Sequence, residues 1–175
     1  MKSLIFDMDQ TILSRGEAGD YPNKIEKINI TEYCKKVPLF TLYHGWKDVF
    51  SFIRENNIKV AIVSDAHETI IKTAISYFNI PCDCNCVIGH FAAENKKKPN
   101  PFPMFEALRL MAEAPENVLS FGDSLNDYLA ASGANIKHYG CMWASTPKEV
   151  ALLRENNCRD FIYTPKQIIE ILQKL

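Results

Sequence analysis

The sequence predicts an α/β fold, a Rossmann-like parallel sheet with helices on both faces. The first observation is that short apolar runs alternate with longer segments of helical spacing, which is the pattern of βαβ units. The second is that polar residues gather directly after several of these runs, where parallel strands would end. The third is the length, because 175 residues suit one ordinary domain with a real core. We therefore expect a single domain over residues 1–175.

The predicted elements follow in a regular order. The strands are SLIF (3–6), KVAIV (59–63), CVIG (86–89), NVLSF (117–121), IKHYG (136–140) and DFIYT (160–164). Helical spacing predicts helices over residues 47–57, 68–78, 102–114, 124–133, 147–157 and 165–175. Asp65 and Glu68 fit a capping box before the second helix, and Gly133 stands where the fourth should end.

One segment lies outside this alternation. Residues 14–43 are polar, rich in Asn and Lys, and weakly periodic, so they predict a short insertion, a minimal cap, that is not part of the core. The aromatic residues Phe40, Tyr43 and Trp46 are expected to pack the insertion against the core.

Composition narrows the class of partner. The chain has 20 basic and 21 acidic residues and a net charge of −1, so no global field favours nucleic acid or an anionic membrane. No signal-peptide pattern or membrane-spanning run is recognisable, and we expect a cytoplasmic protein. The six cysteines are then expected to be reduced thiols. An exposed insertion is compatible with a homodimer.

Two aspartates end the first predicted strand. Asp7 and Asp9 follow a buried apolar run, and such a local conflict often marks a functional site. In an extended chain the side chains of residues i and i+2 point the same way, about 7 Å apart at their bases, so both carboxylates can reach one spot. Like charges this close require a cation or a shared proton.

Further polar residues follow the other strands. They are Ser64 and Asp65 after the second strand, Lys98 in the connection after the third, and Asp123 and Asp127 after the fourth. Because ligands of open parallel sheets bind beyond the carboxyl ends of the strands, these residues are expected to form one set. Clustered carboxylates suit Mg²⁺, whereas helix N-termini and a lysine suit phosphate.

Phosphoryl transfer gives each residue a candidate role. Asp7 would attack phosphorus and form an aspartyl-phosphate, and Asp9 would serve as acid for the leaving group and then as base for water. Ser64 would hydrogen-bond a phosphoryl oxygen, and Lys98 would hold both the nucleophile and the phosphate by charge. The expected Mg²⁺ site consists of Asp7, Asp9, Asp123 and Asp127.

These motifs, in this order, resemble those of the haloacid dehalogenase superfamily. Its DxDxT motif is matched by Asp7, Asp9 and Thr11, and the later motifs are matched by Ser64, by Lys98 before Pro99, and by Gly122, Asp123 and Asp127. The resemblance implies that the backbone carbonyl of the second aspartate also holds Mg²⁺. It further implies a phosphate-binding set of Thr11, Ser64, Asp65 and Lys98. It covers nearly the whole chain, with residues 14–43 as the exception.

Two departures from the family pattern stand out. Gln10 occupies a position where Gly is frequent, and Asp65 one where a neutral residue is frequent. Gln10 is expected to be harmless because the position is variable. Asp65 would repel phosphate if it faced inward, and the predicted capping role turns it toward backbone amides instead.

Asp9 also separates branches of the superfamily. A halide leaves without a proton, so the second acid favours phosphate esters over haloacids. The short insertion leaves the site open, which suits a bulky phosphorylated substrate, a small-molecule phosphatase of modest selectivity, or a cap supplied by another subunit. Two alternatives stay open: a phosphotransferase or phosphomutase, and a non-catalytic module that binds a phosphorylated ligand or a partner.

Several other residues have both a possible functional role and a purely structural explanation. Cys82, Cys84, Cys86 and His90 suggest a structural zinc, but single-residue spacings between cysteines are poor for zinc and favour buried thiols. His67 is either a residue that leans over the substrate or a surface residue of a first helical turn. Lys96 and Lys97 are expected to be solvated charges.

Overall fold

The structure is a computed structural model that describes residues 2–18, 29–90 and 96–175, apart from the side chain of Cys84. The strands are β1 (Ser3–Phe6), β2 (Leu13–Ser14), β3 (Thr41–Leu42), β4 (Val60–Val63), β5 (Val87–Ile88), β6 (Val118–Gly122), β7 (Lys137–Cys141) and β8 (Phe161–Ile162). The helices are α1 (Ile30–Cys34), α2 (Trp46–Glu55), α3 (Glu68–Phe78), α4 (Phe102–Met111), α5 (Leu125–Gly133), α6 (Pro147–Glu155) and α7 (Lys166–Gln173).

Six of the strands form one sheet in the order β5-β4-β1-β6-β7-β8. Every neighbouring pair in it is parallel. The chain builds outward from β1 to one edge and then from β6 to the other, so the strand order reverses beside β1. This is the topology of a doubly wound fold, and the predicted Rossmann-like sheet is confirmed. The two remaining strands, β2 and β3, form a short antiparallel ribbon.

Side chains that alternate along β1 feed two separate cores. Leu4 and Phe6 belong to one apolar cluster, which also holds buried residues of α2, α3 and α7. Ile5 belongs to the other, which holds buried residues of α4 and α5. The period of two along a strand places successive side chains on opposite faces, so both faces of the sheet are covered by helices.

The insertion contributes to the core, which corrects the prediction for residues 14–43. Tyr33, Val37 and Phe40 are all buried at 5% exposure or less and belong to the cluster that includes Leu4 and Phe6. Their few apolar side chains stand among many polar ones, so they produce no periodic signal in the sequence. Residues 19–28 of the insertion lie outside the described residues.

Helix boundaries correct the predicted capping box. The residue that caps α3 is His67, whose Nδ1 accepts a hydrogen bond from the Thr69 N–H at 3.1 Å. The chain bends at Asp65 and Ala66 and is extended at His67, so the helix begins later than the Asp65 template requires. The predicted end of α5 at Gly133 is confirmed.

The cysteine-rich stretch also differs from its prediction. Cys84–Cys86 forms a 3-10 turn, and β5 begins only at Val87. Across the described side chains, the free cysteines are Cys34, Cys82, Cys86, Cys141 and Cys158. Among the described helices, none has both the length and the apolarity needed to cross a bilayer.

Candidate active site

The polar residues that follow the strands converge on one cavity at the carboxyl edge of the sheet. Its volume is about 210 Å³, and it is lined by Asp7, Asp9, Gln10, Arg15, Ser64, Asp65, Lys98, Asp123, Ser124 and Asp127. Stretches that are far apart in the chain therefore meet beside β1, where the strand order reverses. Of the predicted site residues, all but Thr11 line this cavity.

Lys98 occupies the floor of the cavity, with a side chain only 4% exposed. Its Nζ donates hydrogen bonds to Asp7 Oδ1 at 2.8 Å, to Asp127 Oδ1 at 2.5 Å and to the Val63 carbonyl at 3.1 Å. Burial opposes the charge, but the carboxylates of Asp127 and Asp7 outweigh it and raise the pKa of Lys98. The ammonium is thus held as a permanent positive charge beside Asp7.

Asp127 is fixed from a second side by Ser124. The backbone N–H and the hydroxyl of Ser124 donate to Asp127 Oδ2 at 3.0 and 2.6 Å, within a capping box that starts α5. Burial works against ionisation here too, but Lys98 outweighs it and lowers the pKa of Asp127. The approach requires Gly122, because a Cβ at that position would lie 2.5 Å from Asp127 Cγ.

Asp7, Asp123 and Asp127 together form a group suited to a cation. Their nearest carboxylate oxygens all lie within 4.8 Å of one another, and the described residues contain no other group of three or more such side chains. Burial and the charge of Asp127 raise the pKa of Asp123 to about 7. Burial also raises the pKa of Asp7, although Lys98 opposes this. Hard oxygen donors that repel one another in this way fit a divalent ion such as Mg²⁺.

Thr11 contacts the group formed by Asp7, Asp123 and Asp127 and does not line the cavity. Its hydroxyl donates to Asp123 Oδ1 at 3.1 Å. Its carbonyl accepts the indole N–H groups of Trp46 at 2.9 Å and Trp143 at 3.0 Å. Thr11, which the sequence assigns to phosphate binding, therefore orients Asp123, and two tryptophans hold its backbone. Trp46, Tyr43 and Phe40 pack against the core as expected.

The carboxylate of Asp9 forms an ion pair that the sequence does not predict. Arg15 Nε and Nη2 donate to the two oxygens of Asp9, each at 2.9 Å. The side chain of Asp9 is consequently not among the carboxylates grouped with Asp7. The sequence signal for this pair is Arg15 itself, six residues after Asp9, but the contact forms only because of the tight turn between the two residues.

Gln10 adopts a left-handed conformation, with φ at 59°. A glycine takes up this conformation without steric cost, which explains why Gly is frequent at this motif position. The Gln10 side chain accepts a hydrogen bond from the Tyr43 hydroxyl at 2.5 Å. The departure from the family pattern therefore adds a contact between the motif and the end of the insertion.

Ser64 and Asp65 follow β4 and both line the cavity. The Ser64 hydroxyl accepts the N–H of Ala66 at 3.2 Å. Asp65 does not cap α3; it faces the cavity, where burial raises the pKa of its carboxyl group and Lys98 opposes the change. The expectation that capping turns Asp65 away from the site is therefore wrong, since His67 has taken that role.

The remaining candidates lie apart from this cavity. Cys82 Sγ contacts the carbonyls of Val60 at 3.4 Å and of Cys86 at 3.8 Å, and Cys84 lies outside the described side chains. Lys96 and Lys97 are exposed, as predicted. A separate concavity of about 440 Å³ is lined mainly by aromatic and polar residues, among them Tyr43, Trp143 and Tyr163, and contains none of the predicted site residues.

Sequence comparison places this geometry in a known family. The sequence profile described as haloacid dehalogenase-like hydrolase matches residues 15–141. The chain belongs to this family. Solved structures share its fold, including a haloacid dehalogenase superfamily hydrolase, subfamily IA, from Geobacter sulfurreducens. That structure has a TM-score of 0.72 at 17% identity over 98% of this chain and 99% of that one. A family hydrolase from Deinococcus radiodurans, solved with bound phosphate and sodium, has a TM-score of 0.79 at 13% identity, with coverages of 99% and 96%.

Curated relatives of this family member carry phosphatase names. The PpaX protein of Caldanaerobacter subterraneus subsp. tengcongensis, named as a pyrophosphatase, is 29% identical over 73% of this chain and 56% of its own length. Phosphoglycolate phosphatase 1 of Pseudomonas aeruginosa is 23% identical over 80% of this chain and 53% of its own. The chain thus spans about half the length of the curated relatives it matches, and its organisation as one domain with a minimal cap stays a prediction.

Proposed function

We propose that this family member is a Mg²⁺-dependent phosphatase that hydrolyses phosphomonoesters through an aspartyl-phosphate on Asp7. The observation that carries the proposal is the contact of the buried Lys98 ammonium with the Asp7 carboxylate at 2.8 Å, beside a group of acids suited to a cation. A carboxylate nucleophile needs a fixed position and positive charge for the incoming phosphoryl group, and this arrangement supplies both.

The reaction proceeds in two displacements. An oxygen of Asp7 attacks phosphorus in line with the leaving oxygen, the bond from phosphorus to that oxygen breaks, and Asp9 donates its proton to the leaving alcohol. Water then attacks the aspartyl-phosphate while Asp9 takes up a proton from it, which releases inorganic phosphate and restores Asp7. Lys98 neutralises charge on the phosphoryl oxygens, and the Ser64 hydroxyl donates a hydrogen bond to one of them.

The donor set fits the proposed metal. Asp7, Asp123 and Asp127 would hold Mg²⁺ through carboxylate oxygens, with the backbone carbonyl of Asp9 as a further oxygen ligand. Bound Mg²⁺ supplies positive charge that keeps neighbouring carboxylates ionised and offsets charge on the phosphate. Burial raises the pKa of both Asp7 and Asp123, so a bound cation would favour the ionised form of both carboxyl groups.

The relatives support a small phosphorylated substrate. Their names point to pyrophosphate and phosphoglycolate as compounds on which those proteins act. We accordingly propose small phosphorylated molecules as substrates of this chain. A cytoplasmic location and a homodimer remain predictions from the sequence.

Hydrolysis of p-nitrophenyl phosphate tests the proposed chemistry. With Mg²⁺ we expect turnover, and we expect Asp7→Asn or an excess of EDTA to lower kcat/KM by at least about a thousandfold, because each removes an essential part of the transition state. Asp160→Asn, a change of the same kind at a surface carboxylate paired with Lys137, serves as the control and keeps wild-type activity. Activity that survives both Asp7→Asn and the chelator contradicts the proposal.

Two further measurements separate the alternative functions. Acid quenching during turnover should trap phosphate on the peptide that contains Asp7, which a direct attack by water would not produce. Phosphoryl transfer to an added sugar in preference to water would instead indicate a phosphomutase. Binding of phosphorylated ligands without any turnover of a broad phosphoester panel would indicate a binding module.

A further inference from the structure

Arg15 is brought to the active-site cavity by a tight turn. The N–H groups of Ile12 and Leu13 both donate to the Met8 carbonyl, at 2.9 and 3.0 Å, so the chain reverses between Asp9 and Arg15. Strand β2 then pairs with β3, and the Ala18 N–H donates to the Arg15 carbonyl at 3.0 Å. The backbone at both sides of Arg15 is therefore fixed, and its side chain lines the same cavity as Asp7 and Lys98.

The bidentate pair with Arg15 occupies both oxygens of Asp9. In the proposed reaction one of these oxygens must reach the leaving oxygen to donate its proton. The pair must therefore open, at least on one side, before Asp9 can act. Charge-assisted bidentate pairs are strong, so opening this one at a moderate cost in free energy requires a second anion that binds the guanidinium in place of Asp9.

In-line geometry indicates what that competitor is. Lys98 and Asp7 are the deeper pair, with side chains 4% and 10% exposed, whereas Asp9 and Arg15 are 16% and 18% exposed. A leaving group opposite Asp7 must point away from the floor of the cavity, toward the more exposed side. It would consequently extend toward the guanidinium of Arg15.

Charge determines which leaving group gains from this contact. Lys98 is engaged by Asp7 and Asp127, and most of the other charged side chains that line the cavity are carboxylates, Asp65 and Asp123 among them. A second oxyanion on the substrate would be repelled by these groups. Arg15 is the cation placed to receive it at the more exposed side, and a guanidinium matches the planar geometry of carboxylate and phosphate oxygens.

We propose that Arg15 determines specificity for phosphate esters whose leaving group carries a second oxyanion, a carboxylate or a phosphate, close to the scissile bond. The guanidinium exchanges Asp9 for this oxyanion, which frees an Asp9 oxygen to bind the proton that it then donates to the leaving oxygen. Recognition of the substrate and availability of the acid are thereby coupled. This inference rests on the proposed function and adds the substrate class to it.

Binding of non-hydrolysable phosphonates tests the inference without requiring turnover. The probes are 3-phosphonopropionate and its neutral counterpart 3-hydroxypropylphosphonate, with 1,2-ethylenebisphosphonate as the phosphate-bearing arm, all titrated by calorimetry in the presence of Mg²⁺. The wild type should bind at least one of the two probes with a second anionic end about tenfold to a hundredfold more tightly than the probe with a hydroxyl end. The arm with the larger preference identifies the oxyanion.

Arg15→Gln should abolish this preference, and Arg15→Lys, which keeps the charge without the planar fork, should retain part of it. Arg109→Gln is the matched control, because Arg109 also pairs with a carboxylate, Glu106, but lies on the surface of α4. It should keep the full preference. Equal preference in the wild type and both Arg15 variants, or no preference in the wild type, overturns the inference.

Kinetics separate this inference from the proposed function. We expect Arg15→Gln to lower the ratio of kcat/KM for carboxymethyl phosphate to that for 2-hydroxyethyl phosphate by about tenfold or more. Turnover of both esters by the wild type with no preference would retain the phosphatase and reject the role of Arg15. A phosphonate preference that depends on Arg15, without turnover of any ester, would reject the phosphatase and retain the role of Arg15 in binding.

Discussion

At the scale of single residues, the site depends on one missing Cβ. Gly122 ends β6 where the Asp127 carboxylate returns to contact Lys98. A Cβ at Gly122 would lie 2.5 to 2.7 Å from three atoms of the Asp127 side chain, far inside van der Waals contact. Asp127 cannot move away without losing its bonds to Ser124 and Lys98.

Gly122→Ala should therefore displace Asp127. We expect kcat/KM for p-nitrophenyl phosphate to fall by at least about tenfold, and the free energy of unfolding to fall by about 1–3 kcal/mol, as for other overpacked sites. Steady-state kinetics and denaturant unfolding measure the two effects. Ser132→Ala, on the exposed side of α5, should change neither. Wild-type activity in Gly122→Ala would show that the position of Asp127 is unimportant.

At the scale of elements, the described part of the insertion is anchored to the core by its buried side chains. Its ribbon, β2 with β3, follows directly from the DxDxT turn, and its buried residues join the core beside α3. Phe40 is 3% exposed and packs edge-on against Tyr33, with ring centroids 6.4 Å apart. Folding of this segment is therefore coupled to folding of the sheet.

Phe40→Ala should destabilise the whole molecule. Truncation of a buried aromatic residue costs about 3–5 kcal/mol, which corresponds to a fall in melting temperature of roughly 6–20 °C for a chain of this size. Its neighbour Leu39 is 46% exposed, so Leu39→Ala provides a control within the same segment and should change little. Equal, small effects of both substitutions would mean that the insertion folds separately from the core.

At the scale of the whole molecule, a buried histidine links stability to pH. His138 lies on β7, with its Nδ1 3.2 Å from the hydroxyl of Ser120 on β6. Burial lowers the pKa of His138 from 6.5 to about 4, and the nearby charge of Asp127 only partly opposes this. Between these two pH values the unfolded chain binds a proton that the folded chain does not. Stability from this group is therefore present above pH 6.5 and is lost as the pH falls toward 4.

His138→Gln should remove this part of the pH dependence. Between pH 7.5 and 4.5 the wild type should lose about 2–3 kcal/mol more of its unfolding free energy than the variant does. Urea unfolding at the two pH values gives the difference, in which the contributions of Asp7 and Asp123 cancel. The same substitution at the exposed His44 serves as the control. Parallel pH dependence of the wild type and His138→Gln contradicts the assignment.

Much of the fold and most of the site residues could be predicted because both depend on local pattern. The sequence shows a buried strand followed by a polar residue at each of these positions, which predicts Asp7, Ser64 and Asp123 at one edge of the sheet, where the structure has them. Their assembly follows from parallel topology alone. The lysine was found through its position before a proline in a recognisable motif.

The rest depends on geometry that the sequence does not encode locally. Arg15 meets Asp9 only because the chain reverses over residues 8–13, and nothing in the spacing specifies that turn. Asp65 matched a capping template, but an alternative acceptor, His67, stood two residues later and the helix began there. Val37 belongs to the core although it stands among polar residues in the sequence, and a search for periodic apolar spacing does not detect such an isolated core residue.

The two edges of the sheet have a consequence for how copies of this protein meet. Both outer strands, β5 and β8, are only two residues long. Such short edge strands expose few unpaired amide and carbonyl groups, so a strand of another molecule finds few hydrogen-bond partners along them. Strand-by-strand joining of molecules through the edges of this sheet is thereby discouraged even at high concentration.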